Sequence, residues 1–346
     1  VYIPKPGGGE RPLGIPTIRD RVAQTAAVIV LAPIFEADLA DEMYGYRPGR
    51  SAQDAVAAVH GALREGYTEV VDADLSKYFD TIPHGDLLRS VARRISDGAV
   101  LHLLRSWLKA PIEERDRAGR SRRTGGSGHG FGTPQGGVVS PLLANVYFNR
   151  FLRAWRERRV GERLLARVVN YADDFVILCR GTAQRALDLT RRWMRSLKLT
   201  LSEKKTRLCD ARHEPFDFLG YTFGPQYFRP TGRRFLGVTP SRKAVARLRD
   251  RVRALLRPGN MGSWEEIAQR VNRGLRGWAN YYAYGQVLRA YWVVNAFVLH
   301  RARVFLARRH KTPGRGVRYR PEQIFGSKGL LLLAAPRCAR TSHAWA

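Results

Sequence analysis

Cysteine and long hydrophobic runs are scarce in this chain of 346 residues. The three cysteines, Cys179, Cys209 and Cys338, stand far apart and lack the paired spacing of a zinc site or a disulfide framework. The longest apolar runs, such as residues 330–335, are far shorter than the ~20 residues of a membrane-spanning helix. We therefore expect reduced cysteines, no membrane contact and a cytoplasmic location.

Acidic residues are the other deficit. The chain has 30 Asp and Glu against 60 Lys and Arg, which gives a formal net charge of +30. Such a charge repels itself unless a polyanion neutralises it, and nucleic acid is the natural candidate. Residues 241–320 alone hold 19 Lys or Arg against 3 Asp or Glu, so this block is predicted to be a binding element. A ribosomal protein would share this composition.

The remaining composition is that of a folded protein. Hydrophobic residues make up 44% of the chain, enough for two or three packed domains, and no internal repeat is evident. The sequence begins at Val1 in a Pro- and Gly-rich segment without an initiator methionine. We expect an N-terminal piece to precede it.

Two segments have the signals of exposed hairpins. Residues 1–16 predict two short strands joined by a glycine turn, with Lys5 and Arg11 on either side of that turn, which makes a mobile cationic flap. Residues 113–130 are polar, basic and Gly-rich and predict a second hairpin or loop.

Capping signals mark the starts of several helices. Thr17 with Asp20 predicts a helix that ends before Pro33, and Ser140 is predicted to cap a helix with Pro141 in its first position. The Ser-x-x-Asp/Glu pattern recurs at Ser51 with Asp54 and at Ser263 with Glu266. After about Thr239 the strand signals fade, and three helices are predicted near 241–257, 263–281 and 286–309.

Two adjacent carboxylates, Asp173 and Asp174, lie between two short β-branched apolar runs within residues 167–179. This pattern predicts a β-hairpin with acid at its turn. Like charges held this close repel each other unless a cation neutralises them, and Mg²⁺ prefers such oxygen ligands. An exposed acidic turn is the alternative.

A third carboxylate follows from the segment Glu69 to Leu75, which alternates as a strand and places Asp72 and Asp74 on one face. If this strand pairs with the hairpin, Asp74 joins the two acids at its turn. Three carboxylates together suit two Mg²⁺ ions ~3.5–4 Å apart, one activating a hydroxyl and one stabilising a leaving pyrophosphate. Alone, Asp74 could be a helix cap or a surface acid.

An ordered series of motifs carries a family resemblance. The motifs are IPKPGGGERPLGIPTIRDR, YGYRPGRSAQDA, DADLSKYFDTI, GTPQGGVVSPLLANVY, YADDFVIL, LSEKKT, FLGYTF and, further on, LRGWANYYAYG. The series resembles a group II intron reverse transcriptase, also called an intron-encoded maturase, over nearly the whole chain. YADD alone would be a weak signal, but the ordered series is specific.

The resemblance implies an α+β fold, a right-hand polymerase with fingers and palm followed by an α-helical thumb. The implied domains are 1–236 for fingers and palm, 237–311 for the thumb or maturase domain, and 312–346 for a basic tail. The implied activity is RNA-directed DNA polymerase, with two Mg²⁺ ions that Mn²⁺ can replace. The partners would be structured intron RNA as template, a DNA primer or target, and dNTPs, at the nucleoid of a bacterial-type cytoplasm.

The same resemblance implies roles for individual residues of the polymerase domain. Asp74, Asp173 and Asp174 match the metal ligands, whereas Asp72 and Asp80 match positions that do not bind metal. The residues that match the dNTP site are Lys5 and Arg11 for the triphosphate, Phe79 for the steric gate against a ribose 2′-hydroxyl, and Gln135 for the nucleotide pocket. Lys5 and Arg11 could also be solvated charges, Phe79 a core residue, and the glycines after Gln135 an ordinary tight turn.

Further matches carry open alternatives. Lys205 matches a lysine proposed to protonate the leaving pyrophosphate, and is equally well explained as a surface charge. The primer-contacting hairpin corresponds to Phe218, Leu219 and Gly220, of which the first two could be core residues. Trp278 and its neighbouring tyrosines suit exposed RNA bases, but such residues more often pack helices.

Two departures from the family limit the implied function. The sequence lacks the N-terminal extension that completes the fingers and the Cys-paired nuclease module of some members, so target-DNA cleavage by this chain is not expected. Two alternatives remain open: a host-domesticated reverse transcriptase in defence or repair, and an RNA-binding splicing maturase without polymerase activity.

Overall fold

A computed structural model of the chain describes residues 2–4, 10–115, 121–124, 130–134, 136–228, 230–311 and 319–334. Lys5 and Gln135 fall outside these ranges, as do the side chain of Arg11 and those of residues 114–129. The chain forms two compact units, Val1–Asp210 and Ala211–Ala346. Within the described ranges no helix combines the length and apolarity needed to cross a bilayer.

The first unit combines eight helices and eight strands in the part of the chain that the structure describes. Its helices are α1 (Ile18–Glu36), α2 (Ala52–Arg64), α3 (Tyr78–Thr81), α4 (His84–Ala92), α5 (Gly98–Leu108), α6 (Ser140–Glu157), α7 (Val160–Arg163) and α8 (Ala183–Ser196). Its strands are β1 (Tyr2–Pro4), β2 (Glu10–Pro12), β3 (Glu69–Asp74), β4 (Ile112–Arg115), β5 (Ser121–Thr124), β6 (Ala166–Tyr171), β7 (Asp174–Cys179) and β8 (Arg207–Asp210).

A four-stranded antiparallel sheet with the order β6-β7-β3-β8 is the centre of this unit. The predicted strand at 69–75 and the predicted hairpin at 167–179 are both confirmed as β3 and as β6 with β7. Side chains alternate between the two faces of a strand. Val71, Ala73 and Phe175 point into the main core, which α6 and α8 complete with aromatic and aliphatic side chains. Helix α2 packs against β6 and β7.

Helix α1 begins where the sequence predicts and ends later. Thr17 caps it by accepting a hydrogen bond from the Asp20 amide at 3.1 Å. The prediction that the helix ends before Pro33 is wrong, because it continues to Glu36 and buries Leu31 and Phe35 in the core. Pro33 is on the exposed side of the helix, so its ring does not disturb the buried side that carries Leu31 and Phe35.

The start of α6 also differs from the prediction. Ser140 is not its cap; the Ser140 hydroxyl donates to the Pro134 carbonyl at 2.9 Å and the helix begins at Ser140 itself. The free amides before the helix bind a side chain from α1 instead. Gln24, which is buried, accepts from the amides of Val138 at 2.8 Å and Val139 at 3.3 Å. A buried amide of a distant helix therefore replaces the local cap.

Both predicted hairpins contain paired strands. β1 and β2 pair with Ile3 opposite Arg11, and β4 and β5 pair with Ile112 opposite Thr124. The capping box of Ser51 and Asp54 is confirmed at the start of α2.

The second unit contains a three-stranded antiparallel sheet and three long helices among its described residues. The elements are β9 (Phe216–Phe218), β10 (Tyr221–Tyr227), β11 (Arg234–Pro240), α9 (Arg242–Leu255), α10 (Trp264–Tyr281), α11 (Leu288–Arg309) and a π-helical turn, Gln323–Ser327. The three predicted helices and the capping box of Ser263 with Glu266 are confirmed. Ile324, Leu330 and Leu333 pack into the core of these helices, so part of the segment predicted as a tail belongs to this unit.

Candidate active site

The turn between β6 and β7 is short and its backbone is unusual. Tyr171 pairs directly with Asp174, so only Ala172 and Asp173 connect the strands. Ala172 has a φ of 58°, in the left-handed region that non-glycine residues rarely adopt. Such a conformation persists only where the surrounding structure holds it.

The segment before α2 holds this turn. Met43 forms a parallel bridge with Asn170, in which the Tyr44 amide donates to the Asn170 carbonyl and the Asn170 amide donates to the Glu42 carbonyl, both at 2.8 Å. Gly45 lies against the turn so closely that a Cβ there would be 2.5 Å from the Ala172 nitrogen. Only a glycine fits this approach.

Two buried asparagines complete the support. The Asn170 side chain donates to the Ala172 carbonyl at 2.9 Å and to the Asp174 carbonyl at 3.4 Å, across the base of the turn. The Asn145 side chain, from α6, donates to the Gly45 carbonyl at 2.8 Å. Both asparagines are buried, so each lost hydrogen bond would leave a polar group without water.

The register of the sheet brings the carboxylates together. Asp74, the last residue of β3, lies directly opposite Asp174, the first residue of β7. Directly opposed residues of an antiparallel pair point to the same face with Cβ atoms ~4.5–5.5 Å apart. Asp173 immediately precedes Asp174, in the turn. Asp72 lies two residues before Asp74 and on the same face of β3. The structure thus assembles the three predicted acids at one edge of the sheet.

Crowding at this edge changes the protonation of Asp174. Burial among protein atoms, together with the negative charges of Asp173, Asp74 and Asp72, raises its pKa to about 7. The side chain of Asp174 nevertheless keeps contact with solvent. Like charges at this spacing favour a neutralising cation.

Two cations already touch the cluster. The Lys205 ammonium lies 2.8 Å from an Asp74 carboxylate oxygen, and the Arg207 guanidinium lies 3.2 Å from Asp72. The hydrogen bond to Asp74 raises the pKa of Lys205. The loop that carries Lys205 is fixed beside β3, because the Ser202 amide donates to the Asp74 carbonyl at 2.8 Å.

The acids form a charged cluster but not a finished metal cage. Within the described ranges, no group of three His, Cys, Asp or Glu residues is arranged to hold a metal ion. One carboxylate oxygen of Asp74 already accepts a hydrogen bond from Lys205. The donor set is nevertheless all carboxylate, which is the chemistry that Mg²⁺ prefers.

Phe79 lies beside the cluster, on α3 immediately after β3. Its ring is half-buried and meets Tyr78 and Tyr46 edge-on, with centroid distances of 5.6 and 6.5 Å. Its carbonyl accepts from the Thr133 amide at 2.6 Å. The glycine turn that contains Gln135 therefore begins against Phe79, although Gln135 itself is outside the described residues.

The glycine turn also meets the segment that follows β2. Gly136 has a φ of 107° and lies directly against the Gly14 carbonyl and the Leu13 side chain. The end of the predicted cationic flap is thus attached to the turn that leads into α6. The positions of the Lys5 and Arg11 side chains lie outside what the structure describes.

The predicted primer hairpin is part of the second unit. Phe218 is buried, and Leu219 and Gly220 form a turn with φ values of 50° and 79°. The Tyr281 hydroxyl donates to the Leu219 carbonyl at 3.0 Å, and Gly220 lies directly against the Tyr282 hydroxyl. The Phe218 side chain packs inside the protein, and the backbone of the turn faces α10.

The aromatic residues of the second unit mostly pack against one another. Trp278 contacts Tyr282 at 4.9 Å and Tyr291 at 5.9 Å between ring centroids, and Tyr282 contacts Tyr221 at 5.0 Å. This is the helix-packing alternative for Trp278. Trp292 is exposed over 73% of its surface.

The sequence interpretation missed the residues that position the acids. Asn170 and Asn145 are buried polar residues within apolar segments, and Gly45 is a closely packed glycine in the turn before α2. The only local signal was Gly45 between two tyrosines in a turn. Nothing in the sequence links it to residue 172, because that contact exists only after the sheet has formed.

Comparisons with known proteins agree with this geometry. Residues 3–223 match the family model described as reverse transcriptase (RNA-dependent DNA polymerase), and residues 245–322 match the group II intron, maturase-specific domain. The chain belongs to the group II intron-encoded reverse transcriptase family. The resemblance that the motifs indicated is therefore confirmed, and with it a polymerase domain of the class that copies RNA into DNA.

Several curated proteins are similar to this reverse transcriptase. Protein YkfC of Escherichia coli is 35% identical over 280 residues, which cover 70% of this chain and 71% of YkfC. The group II intron-encoded protein LtrA of Lactococcus lactis is 27% identical over 64% of this chain and 46% of LtrA. The COX1/OXI3 intron 1 protein of Saccharomyces cerevisiae is 28% identical over 64% of this chain and 32% of that protein. The chain thus spans less than half of the latter two relatives.

A solved structure supports the fold class. Telomerase from Candida tropicalis superposes with a TM-score of 0.52 at 12% identity, covering 91% of this chain and 58% of that chain. At this identity the likeness concerns the fold alone. The predicted α+β class with a right-hand polymerase fold is confirmed.

Proposed function

We propose that the protein is an RNA-directed DNA polymerase that copies group II intron RNA and assists its splicing. The observation that carries the proposal is the placement of Asp74 opposite Asp174, with Asp173 in the adjoining turn, in a chain of this family. The reaction is attack of a primer 3′-hydroxyl on the α-phosphate of a dNTP. A new phosphodiester bond forms, the bond between the α- and β-phosphates breaks, and pyrophosphate leaves.

Reverse transcriptases use divalent metal ions, and we assign two Mg²⁺ ions, replaceable by Mn²⁺, to Asp74, Asp173 and Asp174. Bound there, the metal would lower the pKa of the attacking hydroxyl and stabilise the leaving pyrophosphate. The placement of three carboxylates at one edge of the sheet supports the assignment; burial and the negative charges of Asp173, Asp74 and Asp72 together raise the pKa of Asp174. Asp74 must exchange its Lys205 ion pair for the metal.

The protein's own residues would bind and orient the nucleotide. We propose that Lys5 and Arg11 bind the triphosphate, that Gln135 lines the base and sugar pocket, and that Phe79 blocks a 2′-hydroxyl. The attachment of the glycine turn to both Phe79 and the segment after β2 supports a common pocket for these residues. Lys205, freed from Asp74, would lie near the leaving group, where the family role of proton donor is expected.

The nucleic acid would occupy the second unit as well. We propose that the turn at Phe218, Leu219 and Gly220 contacts the DNA primer, as the family resemblance implies; the buried Phe218 side chain and the hydrogen bond from Tyr281 to the Leu219 carbonyl would hold the turn in place. The basic helices α9, α10 and α11 would bind the intron RNA. The match of residues 245–322 to the maturase-specific domain supports this assignment.

The test is Asp173→Asn, assayed for primer extension on an RNA template and, separately, for RNA affinity. We expect extension to fall below a few per cent of wild type with RNA affinity within a few-fold, because this carboxylate serves the metals and not the RNA backbone. The matched control is Asp41→Asn, an equal charge change at a side chain that is 84% exposed, which should leave both properties unchanged.

A splicing assay and a comparison of intron RNA with unrelated RNA, added to these two measurements, separate the proposal from its rivals. A wild-type protein that binds intron RNA and promotes splicing but never extends a primer would be a splicing maturase without polymerase activity. If Asp173→Asn extends primers at more than a few per cent of the wild-type rate, the β6–β7 hairpin is not part of the active site. A host-domesticated enzyme would extend primers equally well but would show no preference for group II intron RNA.

A further inference from the structure

A second basic site lies in the first unit, on the outer surface of the helices behind the sheet. It is an open groove of about 760 Å³ between the end of α6, α7 and α8. Six of its lining residues are arginines: Arg158, Arg163, Arg185, Arg191, Arg192 and Arg195. A single lining residue, Asp188, is acidic.

Three arginines of α8 lie on the same face of this helix. Arg185, Arg192 and Arg195 are seven and three residues apart, about two turns and one turn of a helix, which brings their side chains to one side of it. The opposite face of α8 carries Ala186 and Leu187, which are buried against the sheet. The three guanidinium groups are therefore displayed to solvent by a helix that is fixed in the core.

The acids near the groove are fewer than its arginines, although Glu203 and Glu157 also lie within the electrostatic reach of Arg195 and Arg158. Asp188 and Glu203 both bind the same arginine, Arg191, at 3.3 and 2.8 Å. None of the other five arginines forms an ion pair with a carboxylate in the described part of the chain. Elsewhere on the same helical layer arginines are paired, as Arg153 is with Glu157 at 2.7 Å.

An aromatic wall gives the groove a defined shape. Trp193 is half-buried, and its ring packs edge-on against Phe151 and Trp155 with centroids 5.9 and 6.2 Å away. The Arg158 guanidinium lies 5.5 Å from the centroid of the Trp193 ring. Such a contact orders an arginine side chain without neutralising it.

The groove and the carboxylate cluster lie on opposite faces of the sheet. Phe175, adjacent to Asp174 in β7, points to the helical layer and contacts Phe148 and Phe151 of α6 at 5.5 and 6.0 Å between centroids. Asp174 and Asp74, being paired, point the other way. A nucleic acid in the groove is thus separate from a primer–template at the acids.

We propose that this arginine groove binds the phosphate backbone of folded RNA at the same time as the polymerase site holds its primer–template. The inference rests on the proposed function and extends it, because it adds a surface in the first unit to the helices of the second unit that would bind the intron RNA. The chain has 51 Arg and only nine Lys, and the planar fork of Arg suits paired phosphate oxygens. The groove lets the enzyme hold an RNA structure outside the strand it copies.

The test uses the full chain saturated with an unlabelled primer–template and titrated with a labelled blunt RNA duplex of about 20 base pairs, which offers no overhang to copy. The variant replaces Arg185, Arg192 and Arg195 with Gln. Each lost phosphate contact removes roughly 0.9 from the slope of log affinity against log salt. We expect the slope to fall by roughly 2–3 units and the duplex affinity to fall roughly 100-fold at 0.1 M salt.

The matched control removes three arginines that are already paired with carboxylates, Arg89, Arg153 and Arg156. It carries the same charge loss and should keep the wild-type slope. Replacing the three groove arginines with Lys should restore the slope, because the charge returns. Thermal unfolding of each variant establishes that it is folded.

Primer extension on the short primer–template, without the duplex, should be unchanged in the groove variant, so a failure here is distinguishable from a failure of the polymerase assignment. Equal slopes in the groove variant and the control would overturn the proposal. So would arginine-dependent binding to phosphatidylserine vesicles without binding to the RNA duplex, since the groove would then be a membrane contact.

Discussion

Replacing Gly45 with Ala should slow the polymerase while leaving the protein folded. The added Cβ would lie 2.5 Å from the Ala172 nitrogen, 3.1 Å from the Tyr171 carbonyl carbon and 3.3 Å from the Ala172 Cα. All three are backbone atoms of the turn that carries Asp173, so no side chain can rotate away. Either the turn or the segment around Gly45 has to shift.

The size of that shift follows from ordinary packing distances. A Cβ rarely approaches a backbone atom within about 3 Å, so the gap must open by roughly half an ångström. The segment around Gly45 is fastened by three hydrogen bonds of 2.8 Å, two to the Asn170 backbone and one from the Asn145 side chain. Two of these move with the hairpin, so we expect the displacement to reach Asp173.

A misplacement of 1 Å at a catalytic group can cost about 100-fold in rate, so half of that predicts about a 10-fold loss of kcat. Overpacking should also cost about 1–3 kcal/mol of stability, or a few degrees in Tm. The assay is single-turnover primer extension at saturating dNTP, with Tm measured by circular dichroism.

The control is Gly61→Ala in α2, where the added Cβ meets no atom within 4 Å. Alanine favours a helix over glycine by about 1 kcal/mol, so this variant should keep kcat and hold or raise Tm. If Gly45→Ala retains kcat within two-fold of wild type, the close packing of residues 45 and 172 does not position the acids.

Two further predictions concern selectivity and pH. Phe79→Val should admit ribonucleotides by opening space for the 2′-hydroxyl; the ratio of kcat/KM for dNTP and rNTP reports this, and an unchanged ratio would make Phe79 a packing residue. Asp86→Asn should destabilise the protein by about 1–3 kcal/mol at pH 7, because Asp86 binds Lys198 at 3.0 Å and this hydrogen bond lowers the pKa of Asp86. The stability that the lowered pKa of Asp86 provides is present above about pH 4 and is lost as the pH falls through the pKa of the folded state. The difference in Tm between wild type and variant should therefore shrink toward pH 3. A difference that stays constant would refute the role of this ion pair.

Local signals in the sequence were sufficient for the elements and insufficient for their junctions. The β-branched runs around Asp173 and the capping box at Ser51 each depend on neighbours within a few residues, and both predictions held. The prediction that Ser140 caps α6 was wrong, because the group that binds the amides before this helix is the side chain of Gln24, more than a hundred residues away in the chain. Pro33 misled for a related reason, since burial of Phe35 sustains the helix past it.

The active site shows the same contrast between what local signals predict and what depends on distant contacts. The acids could be proposed from residue type, but their meeting depends on the pairing of β3 with β7, which the sequence allowed only as a condition. The order of the motifs favoured the pairing of these two strands, because both strands carry motifs of the same family. The ion pair between Lys205 and Asp74 had no local signal, because the loop that carries Lys205 is fixed beside β3 only in the folded sheet.

Several costly features converge on the β6–β7 turn. Ala172 has a left-handed backbone, Asp174 sits among like charges, and the buried side-chain oxygen Oδ1 of Asn170 has no hydrogen-bond partner among the described residues. Each raises the free energy of the fold. The opposite face of the same sheet offsets them with a dense aromatic core, where Phe148, Phe151 and Phe175 pack within 6.0 Å of one another. A rigid core on one face thus permits a strained, charged turn on the other, which is the arrangement that a fixed metal and nucleotide site needs.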